Sequence, residues 1–399
     1  MKKEFQKIEY TLVSSAAELQ SAVEALARAE TLAVDTEFVG EKYYSPRLEL
    51  MQIGDGERIW LVDAEAIDDL SPLGKVLGDE SKLKLFHAAD QDLELLQREL
   101  GCRALPMFDT QVAASLLGYG AQISLVNLTS ALLDIALSGK QTTSDWSARP
   151  LNEEQLAYAA SDVLHLHELY RLLRDALVAR GRFAWYVDEQ AACALDILDA
   201  PTPDPMLLYR RVKDWMSLSP KELAVLRELT LWRENTARQK NQPRRSIFTD
   251  DGLIEMARFQ PANRDKAKTL RRVNQSQVAR FFDEVLAAIE RGKKIPRDQW
   301  PEKPVSDRPD IPAGLLEICQ AMLRIECDRA EVASSVVATT SDLSRLISSR
   351  RQLDDPALDI PLLSGWRRQV VGQRLTDLLK GRITIRVDKD GELVFAEEG

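Results

Sequence analysis

Two rhythms of apolar and polar positions divide the chain. In residues 1–200 short strand-like runs come first and helical periods follow. A helical stretch, "SAAELQSAVEALARAE", leads into the apolar strand "TLAVDTEFVG" at residues 31–40. "RLELMQIGD" and "RIWLVDA" then alternate with period two around the turn "GDGE", which predicts a hairpin. "LKLFHA" is one more short strand, and "DQDLELLQREL" is an amphipathic helix closed by Gly101. "TQVAASLLG" and "SLVNLTSALLD" read as helices, and "NEEQLAYAASDVLHLHELYRLLRDALVARG" as one long helix. An early sheet with a hairpin followed by helices predicts an α/β domain over residues 1–200.

Proline breaks the pattern at "DAPTPDPMLL", residues 199–208, and everything after it reads as helical. "SPKELAVLRELTLWRENTARQKNQP" has Ser219 as cap, Pro220 in the first turn and a stop before Pro243. The stretch "KKIPRDQWPEKPVSDRPDIP" is a second break, and "AGLLEICQAMLRIECDRAEV" resumes the helical period. Two small helical modules, 207–292 and 305–385, share the order of a long helix, a loop and shorter helices, which suggests a duplication.

Composition is that of a globular chain, 45% hydrophobic and 29% charged. No apolar run reaches about 18 residues and "MKKEFQKIEYTL" has no apolar signal core, so neither a membrane partner nor export is expected. Cys102, Cys193, Cys319 and Cys327 show no CxxC spacing, which speaks against a disulfide framework or a zinc site and for a reducing cytoplasm. Charge is unevenly placed. Residues 1–200 carry 18 Lys and Arg against 33 Asp and Glu, net −15; residues 211–300 carry 20 against 12, net +8. The basic stretches "RENTARQKNQPRR" and "NRDKAKTLRR" suit a polyanion held without reading its sequence, although a charge run also serves as a solvated face.

The acids of the first third carry the candidate chemistry. Asp35 and Glu37 lie two apart on a strand and so share a face. Two like charges in a poorly solvated place need protons, donors or a cation, unless the strand has simply reached the surface. Asp92 sits in the first turn of a helix that follows a strand, where α/β sites gather and where a capping acid is equally at home. Tyr158 and Asp162 are i and i+4 on one helix. Only three histidines are present, two of them at i and i+2 on different faces of a helix, which speaks against His-rich metal chemistry, and the four carboxylates suit a hard cation, Mg²⁺ or Mn²⁺.

In this order (Asp-x-Glu on a first strand, Asp at a helix start, Tyr-x3-Asp on a later helix) the acids resemble the tyrosine-bearing branch of the DEDD exonuclease superfamily. "VDTEFVGEKYYSPRLELMQIG", "FDTQVAASLLG", "TTSDWSARPL" and "YAASDVLHL" look like the bacterial ribonuclease D family, and the two helical modules resemble its HRDC domains. The resemblance implies a ribonuclease H-like mixed sheet followed by two small all-α bundles. It further implies a 3′-to-5′ exoribonuclease acting on RNA with single-stranded 3′ ends, tRNA precursors above all, and releasing 5′-nucleoside monophosphates. Asp35, Glu37, Asp92 and Asp162 would hold two divalent metal ions and Tyr158 would orient the attacking water. Phe38 is a candidate for stacking on a terminal base, and Lys140 and Arg149 for holding the scissile phosphate; a core ring and solvated loop charges are the plain alternatives. A cytoplasmic monomer is expected. A DNA exonuclease and an inactive RNA-binding scaffold are the rival functions, and the presence of all four acids weighs against the scaffold.

Overall fold

The computed structural model of the protein describes residues 8–137, 144–303 and 311–397. The chain forms two compact units: Met1–Glu37, Glu49–Leu198 and Asp307–Gly399 make the first, Phe38–Leu48 and Asp199–Ser306 the second.

In the first unit the elements run β1 (Thr11–Val13), α1 (Ala16–Leu26), β2 (Thr31–Val39), β3 (Arg47–Gly54), β4 (Ile59–Asp63), α2 (Ser71–Leu77), β5 (Leu83–Phe86), α3 (Asp90–Leu100), β6 (Met107–Asp109), α4 (Thr110–Ser115), α5 (Leu125–Leu133), α6 (Glu153–Leu164), α7 (Leu166–Ala179) and α8 (Phe183–Leu198). Six strands form one mixed sheet in the order β1-β4-β3-β2-β5-β6. β3 and β4 are antiparallel, whereas β1–β4, β2–β5 and β5–β6 are parallel. Leu32, Ala33 and Val34 of β2 are fully buried, as are Leu50, Met51 and Ile53 of β3. Strands covered on both faces read as continuous apolar runs, so the two carboxylates that end β2 stand out chemically as well as in sequence.

The stretch expected as one long helix divides at His165, which lies between α6 and α7 with φ −105°. The periodicity is unbroken there, but α6 packs on β4 while α7 packs on α4 and β5, and the chain turns to serve both. α6 itself starts with a capping box, Asn152 accepting from the Gln155 N–H and the Gln155 side chain accepting from the Asn152 N–H.

The second unit contains α9 (Pro220–Lys240), α10 (Arg244–Ile247), α11 (Asp250–Phe259), α12 (Arg264–Lys268) and α13 (Gln275–Lys293). Leu226, Leu229, Phe248, Val278, Phe281 and Val285 fill its core, with Trp232 edge-on to Phe248 and Phe281. α9 and α13 approach so closely at Gly292 that a Cβ there would meet the Val225 Cα at 2.5 Å. Tyr44, from the β2–β3 connection, belongs to this unit: its hydroxyl donates to Glu234 at 2.5 Å and its ring lies under the Arg244 guanidinium, 4.5 Å away.

Residues 307–399 group with the first unit. They hold α14 (Leu315–Arg329), α15 (Ser334–Val337), α16 (Thr340–Ser348), α17 (Gly365–Arg367), which continues through a π-turn into α18 (Gln373–Leu379), and then β7 (Ile383–Val387) and β8 (Leu393–Glu397). Arg182 donates to the carbonyls of Leu116 and Glu331, Arg180 pairs with Glu331 at 2.7 Å, Arg367 pairs with Glu189 at 2.7 Å, and Trp185 stacks on Trp366. These contacts make the segment part of the first unit. The antiparallel β7–β8 pair also corrects the all-helical expectation for the end of the chain. Its alternating "ITIRV" and the Asp390-Gly391 turn, with Gly391 at φ +83°, are a hairpin signal.

Candidate active site

β2 ends by presenting Asp35 and Glu37, and α6 brings Asp162 to meet them. Carboxylate oxygens of the three lie within 4.8 Å of one another. Burial raises the Asp35 carboxyl well above the usual range, and the charge of Asp162 adds to it. Glu37 is pushed up to about 9 by burial and then by Asp35, Asp162 and Asp92. Asp162 is pushed to about 7 by burial, against a hydrogen bond from the Tyr158 hydroxyl that favours its charged form. Tyr158 and Asp162 therefore meet as their i, i+4 spacing on α6 predicts, and the Tyr158 ring lies 6.2 Å from buried Trp146.

Asp92 stands at the edge of this cluster. Burial raises its carboxyl well above the usual range and Asp35 raises it further; the Thr36 hydroxyl, which donates to it, pulls the other way. Its place is set by a turn that the sequence reading did not single out. Between β5 and α3 the backbone passes through Ala88 at φ +64°, a left-handed conformation uncommon for a residue with a Cβ. Asp109 holds that turn, accepting from the N–H groups of Ala88 at 3.0 Å, Ala89 at 2.8 Å and Gln111 at 2.7 Å. The Asp109 N–H in turn donates to the buried Tyr186 hydroxyl at 2.9 Å. Thr36 and Asp109 are the supporting residues sequence reasoning missed; "FDTQ" was visible, but its bond to a turn 21 residues away was not.

Among the described residues no Lys, Arg or His pairs with Asp35, Glu37, Asp92 or Asp162. Three clustered carboxylates with Asp92 at their edge, without a counter-charge and without a sulfur or imidazole ligand, are a donor set for hard divalent cations.

Residues 10–178 match the 3′-5′ exonuclease family and residues 222–289 the HRDC domain. Ribonuclease D of Gluconacetobacter diazotrophicus is 36% identical over 388 residues, which cover 94% of each chain. The chain belongs to the ribonuclease D family. Ribonuclease D of Pseudomonas paraeruginosa is 34% identical, covering 88% of this chain and 92% of that one. The crystal structure of Escherichia coli RNase D, described as an exoribonuclease involved in structured RNA processing, superposes with a TM-score of 0.80 at 27% identity, covering 94% of this chain and 99% of that one. The catalytic core of RRP6 from Trypanosoma brucei, at 22% identity and a TM-score of 0.62, shares the fold. As a member of this family, the protein is a 3′-to-5′ exoribonuclease, a phosphodiester hydrolase whose exonuclease domain is a mixed sheet with flanking helices and whose HRDC domain is helical.

The remaining ribonuclease D site candidates divide. Phe38 is half-buried beside Glu37 at the end of β2. Lys140 lies outside the described residues. Arg149 is an anchor: it pairs with both carboxylate oxygens of Asp63 at 2.8 Å and donates to the carbonyls of Glu49, Trp146 and Ala148. Those five bonds account for the five N–H groups of a guanidinium, and beneath it Glu49 is fully buried with an oxygen 3.9 Å away. The sequence offered it as a phosphate holder or a solvated loop charge; in the fold its guanidinium joins β3, β4 and the loop before α6.

Proposed function

We propose that this ribonuclease D trims the 3′ ends of structured RNA precursors, tRNA precursors first among them, and releases 5′-nucleoside monophosphates in the cytoplasm as a monomer. The convergence of Asp35, Glu37 and Asp162 within 4.8 Å, with Asp92 beside them and Tyr158 bonded to Asp162, is the observation that carries the reading. The four acids would hold two divalent cations, Mg²⁺ or Mn²⁺, which when bound supply charge neutralisation at the scissile phosphate and acidify water for in-line attack. The chain's own part is positional. Asp35, central in the cluster, would be a metal ligand; the Tyr158 hydroxyl, bonded to Asp162, would orient the attacking water, and Phe38 would stack on the terminal base.

A second HRDC-like module over 305–385 completes the reading. Long α9 and α14 are each followed by a four-residue helix, α10 or α15, and then by an extended residue, Phe248 (φ −157°, ψ 136°) or Ala338 (φ −158°, ψ 143°). A threonine cap follows in both, Thr249 on the Gly252 N–H and Thr339 on the Asp342 N–H. The same local path twice supports a duplicated module.

The test offers a tRNA precursor carrying a 3′ trailer, with Mg²⁺ or Mn²⁺, and identifies the products by chromatography. Stepwise loss of the trailer as mononucleotides bearing a 5′ phosphate is expected. Products with a 3′ phosphate, or an untouched trailer on RNA whose single-stranded form is degraded, would refute the assignment.

A further inference from the structure

The second unit carries a cleft that the catalytic acids do not use. It has a volume of about 420 Å³ and is lined by Glu255, Arg258, Phe259, Thr269, Leu270, Arg271 and Arg272, a size within the ~300–1,000 Å³ of small-molecule sites. Phe259, the last residue of α11, is 57% exposed, whereas Phe248, Phe281 and Phe282 of the same helical bundle are buried in its core. The chain turns away after it through Gln260 at φ +43°, which leaves the ring on the surface. A single exposed ring is ordinary on a protein surface; set in a cleft with three arginines, this one has the composition of a site that stacks a base and holds phosphate.

The charged groups around it are free to serve one. Among the described residues the side chains of Arg271, Arg272 and Glu255 show no hydrogen bond or ion pair, and Arg258 gives one N–H to the Ser217 hydroxyl at 2.8 Å. Guanidinium groups present a planar fork to phosphate oxygens, and an aromatic face receives any base without reading it. Glu255 adds an acceptor suited to an exocyclic amino group of a base.

We propose that this cleft is a stacking subsite for one nucleobase of single-stranded RNA, with Phe259 as platform and Arg258, Arg271 and Arg272 holding the adjoining phosphates. The inference rests on the exoribonuclease reading for the class of ligand and adds where the second unit grips the strand. A helix-end arginine that only answers the helix dipole would explain Arg258; it would not explain the exposed ring or the unpaired pair at 271 and 272.

The test measures binding of full-length protein to a fluorescent single-stranded oligoadenylate in EDTA, which separates binding from cleavage, over a series of salt concentrations. Phe259→Ala should weaken binding fivefold or more, about what one stacked base contributes, with the salt slope unchanged, and Phe259→Trp should restore it. Arg271→Gln with Arg272→Gln should lower the slope by about 1.4, the counterions of two phosphates on a single strand. Phe259→Ala binding within twofold of wild type, at an unchanged melting temperature, overturns the subsite while leaving the enzyme reading intact. Wild-type protein that neither binds the strand nor degrades it with Mg²⁺ overturns both.

Discussion

Removing one charge from the acid cluster should make the metal-free protein more stable. Glu37 has a folded-state pKa of about 9 against 4.5 for an ordinary glutamate, and Asp162 about 7 against 3.8. A carboxyl whose pKa is raised by folding binds its proton more tightly in the native state. Its contribution is full below the unfolded pKa and is lost as pH rises toward the folded value. In EDTA the wild type should therefore lose stability between pH 6 and 8. One group alone accounts for at most ~1.4 kcal/mol per pH unit. Glu37 over two units and Asp162 over one would together lose about 4 kcal/mol if they titrated independently, and proton sharing among the four acids brings the expected loss to about 1–3 kcal/mol. Glu37→Gln keeps the shape and removes the largest valued titration. At pH 8 in EDTA it should exceed the wild type by about 1–3 kcal/mol, and the difference should shrink at pH 6. Added Mg²⁺ should reverse the order, because the wild type regains stability through binding and the variant has lost a ligand. Urea unfolding followed by tryptophan fluorescence at both pH values measures this. Equal midpoints for the two proteins at pH 8 in EDTA, or a wild type that gains stability from pH 6 to 8, would refute the reasoning.

Three further substitutions probe the groups around the cluster. Tyr158→Phe removes only the hydroxyl bonded to Asp162; kcat should fall roughly ten- to a thousandfold, ~1.4–4 kcal/mol on the barrier, with melting temperature and KM nearly unchanged. Asp109→Ala releases four N–H groups, those of Ala88, Ala89, Gln111 and Val112, and the left-handed turn at Ala88; a loss of about 2–5 kcal/mol in urea unfolding and a fall in kcat should come together, because the same turn places Asp92. Arg149→Ala strips the cation from Asp63 and from buried Glu49, and should cost about 2–4 kcal/mol of stability; a variant of normal stability with KM raised would restore its reading as a phosphate holder.

The acids were legible because their chemistry conflicts with their setting: Asp35 and Glu37 end an otherwise apolar strand, and the Tyr158–Asp162 spacing follows from helix geometry alone. Strands β1 and β6 were missed because three residues are too few to show alternation. The α6–α7 break was hidden because both helices are amphipathic in the same period and part only to reach different neighbours. Thr36, Asp109 and the anchoring of Arg149 depend on partners 56, 21 and 86 residues away, and no local pattern announces such pairs. The joining of residues 307–399 to the first unit is of the same kind, since Arg180, Arg182 and Arg367 read in sequence as ordinary surface charges.

The most direct test of the account follows single-stranded RNA labelled at its 5′ end on a denaturing gel, with wild type and Asp35→Asn, each in Mg²⁺ and in EDTA. The four-acid site predicts a ladder of labelled products shortening one nucleotide at a time from the 3′ end for wild type in Mg²⁺. It predicts no shortening in EDTA, and little for Asp35→Asn even in Mg²⁺, since that change removes a charge from the centre of the cluster. A labelled mononucleotide appearing first, internal cuts, or wild-type activity that survives EDTA or the loss of the Asp35 charge would contradict it.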